Sequence, residues 1–293
     1  MTPGDWQLVR ELLVDKTGDD IGMLEVQEVG GGDINRAYRL SDGRHRFFAK
    51  TNTRNRLPMF EAELRGLNQI LHSDSIRVPR PIGCGTAGEE AFIVMEYIDL
   101  SGRANEIEFA HKLAAMHRCT GEQFGFMLDN TIGSSPQPNP YESSWVNFWQ
   151  QQRLGFQLSL AEKNGYGGEL YETGMRLNQR VGEFFSSYNP VPSLLHGDLW
   201  GGNQGADASG EPVIYDPACY YGDHEADLAM MELFGRPGEN FFRAYQEVFP
   251  VDTGYSQRRD LYNLYHVLNH ANLFGGSYAG QAQGMITRLL RIL

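Results

Sequence analysis

His196-Gly197-Asp198, Asn203 five positions after the aspartate, and Asp216 at the end of the next apolar run are spaced for phosphoryl transfer. An Asp and an Asn on one loop, with a second Asp closing the following strand, match what metal-assisted transfer to a hydroxyl needs. One carboxylate receives the hydroxyl proton, while the amide oxygen and the other carboxylate hold Mg²⁺ against the phosphates. An HGD triplet alone is common by chance. The HGDxxxxN spacing followed by a strand-terminal Asp is the informative part. Leu194-Leu195 leads into this loop and Val213-Ile214-Tyr215 leads to Asp216, while Gly222-Asp223 opens a helix-like segment carrying Asp227.

Such a centre also needs groups that hold phosphates, and the first hundred residues offer them. Leu24 to Val29 reads as a strand running into a glycine loop, Gly30-Gly31-Gly32-Asp33-Ile34-Asn35. Glycines let backbone N–H groups approach phosphates closely. No lysine follows these glycines directly and no helix follows them, so this is not a Walker loop. Ala37 to Leu40 and Arg46 to Lys50 read as a hairpin turning at Asp42-Gly43. Lys50 ends it and shares a face with Phe48 by two-residue alternation. A lysine that holds phosphates needs a carboxylate partner. Residues 57–71 read as a helix with an apolar stripe of Phe60, Leu64, Leu67 and Leu71, flanked by Glu61 and Glu63. Periodicity favours Glu63 slightly.

After this helix, VPRPIG (78–83) breaks the pattern and leads to a polar turn over 84–90. Ala91 to Met95 is an apolar run suited to a buried strand. Met95, Glu96, Tyr97 and Ile98 mark the boundary of a strand-rich lobe, 1–97, from a larger helical lobe, 98–293. Backbone groups at such a junction can read an adenine edge. Beyond it, helices are expected at 107–118, 168–187, 223–234, 239–248, 256–274 and 281–292. Residues 121–144 read as an ordered loop excursion, followed by a helix carrying Trp145, Phe148 and Trp149 and capped by Ser143 or Ser144. His111 and His117 read as structural or surface histidines. Trp145 is a candidate substrate contact, although aromatic stripes of this kind are usually core.

The chain has 293 residues, 41% hydrophobic and 21% charged, with room for two lobes, each with its own core. A net charge of −12 and a pI near 5.1 argue against nucleic acid, which needs a basic face. The three cysteines, Cys84, Cys119 and Cys219, lie far apart, with no CxxC or Cys/His ligand spacing. No stretch approaches a membrane span, and the expectation is a cytoplasmic protein.

With the loop, Lys50, the helix glutamate, HGDLWGGN and Asp216 in place, the chain resembles the fructosamine kinase (ketosamine-3-kinase) family. That family is similar in fold to aminoglycoside phosphotransferases and protein kinases. HGDLW, FGFMLDNTIGSSPQPNP (124–140), YYGDHEADLAM (220–230) and LNHANLFGGSYAGQA (268–282) carry the narrower resemblance. It implies an α+β, protein-kinase-like fold with two lobes, and ATP with Mg²⁺ as cosubstrate. By the resemblance Asp198 is the base facing the sugar hydroxyl, and Asn203 and Asp216 hold the metal. Lys50 with Glu63 orients phosphates beneath the Gly30–Asn35 loop, Asp227 braces the catalytic loop, and Trp200 lines the sugar pocket. The implied reaction phosphorylates the 3-hydroxyl of a ketosamine such as a fructosamine or ribulosamine, giving an ester that falls apart and releases the amine. Members often carry Ser or Cys where Asp33 stands, so a redox-switching cysteine is absent from the loop. Asp33 is expected to point away from the phosphates. Another acceptor (an aminoglycoside, choline or a free sugar) is the alternative within the kinase class. A nucleotide-binding pseudokinase is disfavoured because Lys50, Asp198, Asn203 and Asp216 are all present.

Overall fold

The computed structural model describes residues 1–30 and 34–293 and divides into two compact units. The first is Met1–Asn105 with Gly205–Pro217; the second is Glu106–Gln204 with Ala218–Leu293. The division thus falls after Asn105 rather than after residue 97, and the first unit takes in a later segment that ends just past Asp216.

The first unit is built on an antiparallel sheet of five strands in the order β1-β2-β3-β5-β4. Helix α1 (Pro3–Thr17) starts at a capping box in which Thr2 and Asp5 bond reciprocally. Strands β1 (Glu25–Val29), β2 (Arg36–Ser41) and β3 (Arg46–Thr53) follow. The β2–β3 register pairs Leu40 with Phe47 and Ala37 with Lys50. Val9 and Leu13 of α1 pack against Leu40, Phe47, Ala49 and Val94 on one face of the sheet. Alternation sends Phe48 and Lys50 to the other face, toward α2 (Leu57–His72), which buries Phe60, Glu63, Leu67 and Ile70.

The polar turn expected at 84–90 is instead a strand, β4 (Pro81–Ala87), paired antiparallel to β5 (Glu90–Glu96). Two glycines and a leading proline hid it, because β4 lies at the sheet edge, where Pro is tolerated at the start of a strand. Gly83 also has a packing reason. A Cβ there would stand 2.9 Å from the Leu12 side chain of α1, so glycine lets the helix lie close on the edge. The added segment forms a hairpin of Gln204–Ala206 with Pro212–Ile214, joined to Arg77 by a parallel bridge at Val213. Arg77 is paired with Asp207 and, at 2.9 Å, with Glu96.

The second unit is mainly helical. Helix α3 (Glu106–His117) is followed by an excursion that is not merely loop, because Asn130–Ile132 and Ser135–Gln137 form a small hairpin. Next come α4 (Trp145–Phe148), capped by Ser144, a π-helical turn over Trp149–Leu154, and α5 (Gly155–Lys163). The helix expected over 168–187 is split into α6 (Glu169–Gln179) and a 3₁₀ turn, Val181–Phe185. Gly182 lies in the middle of that stretch and weakens its continuation. Helices α7 (Glu225–Leu233), α8 (Glu239–Val248), α9 (Tyr255–Phe274) and α10 (Ser277–Ile292) complete the unit. Ser193–Leu195 pairs antiparallel with Tyr220–Gly222 and delivers the chain to His196.

Candidate active site

In the first unit, Lys50 is buried beside two carboxylates. Its Nζ lies 2.6 Å from Glu63 Oε1 and 2.5 Å from Asp216 Oδ1. Burial opposes the charge on Lys50, but Asp216 and Glu63 more than offset it and hold its pKa above the usual lysine value. Burial pushes the Glu63 carboxyl up against the pull of Lys50. Glu61, the other candidate, is exposed. Asp216 itself has φ +60°, a left-handed conformation that Asp tolerates better than most residues. Strained backbone of this kind concentrates at functional sites.

Met95 is buried in β5 opposite Phe48, and the ladder ends at the Phe47–Glu96 pair, so Tyr97 and Ile98 lie beyond it. The Glu96 carboxylate bonds Arg77 and the Arg80 N–H. Gly30 directly follows β1. Gly31, Gly32 and Asp33, expected to cover the phosphates and to point outward respectively, lie outside the described residues.

The Asp198 loop of the second unit is held from below. Asp227 Oδ2 accepts the His196 N–H at 2.7 Å and its Oδ1 accepts the Gly197 N–H at 2.8 Å. His117 Nε2 stands 3.1 Å from the same carboxylate, and Tyr245 Oη 2.6 Å from His117 Nδ1. A carboxylate only accepts, so Nε2 is the donor. Burial would push the Asp227 pKa up, but these bonds outweigh it and hold it below the usual value. Gly197 has φ +82°, and a Cβ there would come 2.1 Å from the Ala218 carbonyl oxygen, so only glycine fits. The other side of the loop carries Asp198 and Asn203. Asn203 Nδ2 donates to the Asp198 carbonyl at 2.9 Å and to its Oδ2 at 3.2 Å. The amide nitrogen thereby orients the carboxylate and leaves the amide oxygen as the group's other end. An Asn oxygen and an Asp carboxylate are hard oxygen donors of the kind Mg²⁺ takes. Among the described residues, no three His, Cys, Asp or Glu side chains cluster as a metal site.

The two tryptophans part company. Trp200 is 40% exposed and lies over Gly202, where a Cβ would meet the indole at 2.2 Å. Trp145 is 3% exposed, stacked on Phe148, and its Nε1 donates to Tyr262 Oη at 3.0 Å. That ring belongs to the core of the second unit and presents no face to a substrate.

His117 and Tyr245 were not legible as supports of the loop. Each is an ordinary helix residue in sequence, and only the meeting of α3 and α8 joins them to Asp227. His111, on the same helix, is half-exposed near Glu247.

A second buried polar group lies around Asp223, which accepts from Tyr262 and Tyr188 and from the Glu225 N–H. Neither ring nitrogen of the neighbouring His224 makes a hydrogen bond. Burial drives the pKa of His224, and of His266, down to about 3 from the ordinary 6.5. The unfolded chain therefore binds protons at these histidines that the folded protein refuses, and their contribution to stability declines as pH falls below about 6.5. Glu225, raised to about 7 by burial, acts in the opposite sense, its contribution growing as pH falls. Chemical denaturation of His224→Asn across this range should show an acid decline shallower than wild type by up to about 1.4 kcal/mol per pH unit. An unchanged slope would mean that His224 is already protonated in the folded state.

The fructosamine kinase family model matches residues 5–292. The chain belongs to the fructosamine kinase family. Its relatives include a "Probable ketoamine kinase" of Synechocystis, 43% identical over 99% of both chains. An Arabidopsis thaliana "Protein-ribulosamine 3-kinase, chloroplastic" is 44% identical over 97% of this chain and 88% of its own. A fructosamine-3-kinase candidate crystallised from Haemophilus somnus superposes with a TM-score of 0.89, at 29% identity and 98% coverage of each chain. Aminoglycoside phosphotransferase APH(4)-Ia, crystallised with AMP-PNP and hygromycin B, matches at a TM-score of 0.63 and 15% identity over 97% of this chain and 98% of its own. That last likeness is one of fold: the family member has the α+β architecture of these phosphotransferases.

Proposed function

We propose that this family member transfers the γ-phosphoryl group of ATP to the 3-hydroxyl of a ketosamine, a fructosamine- or ribulosamine-like compound. The observation that carries this reading is the Asp198–Asn203 pair, a carboxylate held in place by an amide whose oxygen is left for a cation. Asp198 receives the hydroxyl proton as the phosphoryl group moves. Lys50, fixed by Glu63, binds the α- and β-phosphates, with Gly30, Gly31 and Gly32 over them and the Met95–Ile98 backbone on the adenine. Asn203 and Asp216 hold Mg²⁺, which neutralises charge on the phosphates when bound. Trp200 packs against the sugar. The relatives named for ketoamines and ribulosamines support the acceptor class. Among the described residues no helix is long and apolar enough to cross a membrane, and we place the reaction in the cytoplasm on the reading of the sequence.

The test is ADP release across an acceptor panel of ketosamines, an aminoglycoside, choline and free sugars, with phosphorus NMR of the product. A ketosamine should give a sugar 3-phosphate. Product from an aminoglycoside or choline, with none from ketosamines, would overturn the acceptor class. Nucleotide binding with no product from any acceptor would instead indicate a pseudokinase.

A further inference from the structure

Within the first unit, Arg77 joins the end of β5 to both ends of the hairpin that delivers Asp216. Its Nη2 donates to Glu96 Oε1 at 2.9 Å and its Nη1 donates to Asp207 Oδ2, with Glu211 Oε2 3.7 Å from the same nitrogen. Glu96 is the last residue of β5, and its other oxygen accepts the Arg80 N–H at 3.2 Å. Asp207 divides its oxygens between two tasks. Oδ1 knots the turn, accepting from the Ser209 hydroxyl at 2.6 Å and from the Ser209 and Glu211 N–H groups, while Oδ2 faces Arg77. The Arg77 main chain holds the base of the same hairpin, where the Ile214 N–H donates to its carbonyl at 3.0 Å. Asp216 follows two residues later, at φ +60°.

We propose that Arg77 is a positioning residue for the cation, fixing the hairpin so that the Asp216 carboxylate is presented to Mg²⁺. The proposal rests on Asp216 as a metal ligand in the reading above. A residue other than glycine keeps a left-handed backbone only where its surroundings over-determine it. Held by the Ile214 bond alone, the hairpin would pivot about a single point. The Arg77 side chain adds a second attachment at the far end, and Glu96 anchors the guanidinium, so the strand entering Asp216 has one orientation. The Gly102 N–H, 3.3 Å from the Ala206 carbonyl oxygen, is a longer and weaker tie near that end. A guanidinium suits this task because its planar fork meets two carboxylates at once, which a point charge does not. The Arg77 side chain is 30% and that of Asp207 13% exposed, so this is not the isolated surface pair that contributes little.

The experiment titrates Mn²⁺, read by its EPR signal, into protein saturated with ADP, and measures ADP affinity in EDTA alongside. Arg77→Met and Asp207→Asn should each weaken Mn²⁺ binding by about tenfold while metal-free ADP affinity stays within about twofold of wild type. The double variant should lose no more than either single one, because both remove the same contact. Arg77→Lys should bind Mn²⁺ more tightly than Arg77→Met, since a lysine still reaches one carboxylate. Unchanged Mn²⁺ affinity in both single variants overturns the proposal. Equal losses of Mn²⁺ and of metal-free ADP binding assign Arg77 to the stability of the unit and overturn it as well. If Arg77→Met fails to fold, Asp207→Asn decides on the same two readings. Asp216→Asn, which tolerates the left-handed backbone, tests the premise. Wild-type Mn²⁺ affinity in that variant would remove Asp216 from the metal and take the proposal with it. Weakened binding there, with the Arg77 and Asp207 variants intact, overturns the positioning role alone.

Discussion

Asp198→Asn is expected to keep nucleotide affinity while phosphoryl transfer falls by about 10²–10⁴-fold. The substitution preserves shape and removes basicity. The neighbouring bonds allow it: Asn203 Nδ2 reaches the Asp198 backbone oxygen at 2.9 Å whatever the side chain carries, and the Asp227 bonds to His196 and Gly197 are untouched. A lost rate therefore reports on proton transfer rather than on a collapsed loop. Single-turnover rates with a ketosamine acceptor, alongside nucleotide titration, separate the two. Full turnover in the Asn variant would remove Asp198 from the role of base, whichever acceptor is used.

The second large effect is expected at Glu63. Glu63→Gln should lose rate to about the same extent as Lys50→Met, on the order of 10²–10³-fold, whereas Glu61→Gln should be nearly silent. Glu63 is buried with an oxygen 2.6 Å from Lys50 Nζ, and Glu61 is exposed. Removing one partner of a buried pair costs about 3–5 kcal/mol, because the remaining charge is stranded. Here Asp216 at 2.5 Å retains the ammonium, so the fold should survive while Lys50 is drawn away from Glu63 and off the position proposed for phosphate binding. Steady-state kinetics and melting curves on the three variants are the measurement. Equal losses from both glutamate variants would undo the distinction.

Legibility in the sequence followed the range of the interaction. The β2–β3 hairpin, the bounds of α2 and the long C-terminal helices are local patterns, and each lies within a few residues of where periodicity puts it. The stripe on α2 keeps only Phe60 and Leu67 of the four expected residues, with Ile70 buried and Leu71 exposed. The spacing of Asp198, Asn203 and Asp216 was also visible, because one short stretch holds all three. What depends on distant partners was not visible. Strand β4 reads as a turn because its glycines and proline have meaning only once α1 lies on Gly83. Glu63 and Glu61 are near-equivalent by period, and burial against β3 separates them. Trp145 and Trp200 read alike in sequence, and only the structure separates them: Tyr262 holds the first in the core, while the second is exposed. His117 becomes a support of the loop only through Asp227, 110 positions away.

The hairpin that returns to the first unit gives its assembly a timetable. Residues 1–105 emerge from the ribosome early, yet the acceptors for Arg77 at Asp207 and Glu211, and one of the two carboxylates at Lys50, arrive only with residues 205–217. Until then the Lys50 ammonium has Glu63 alone, and the Arg77 guanidinium has only Glu96. The early part of the chain is therefore not a complete unit that could be spliced out by cutting after the sheet. Its last strands are synthesised after most of the helical unit, so the machinery on Lys50 is finished only once the Asp198 loop has already been made.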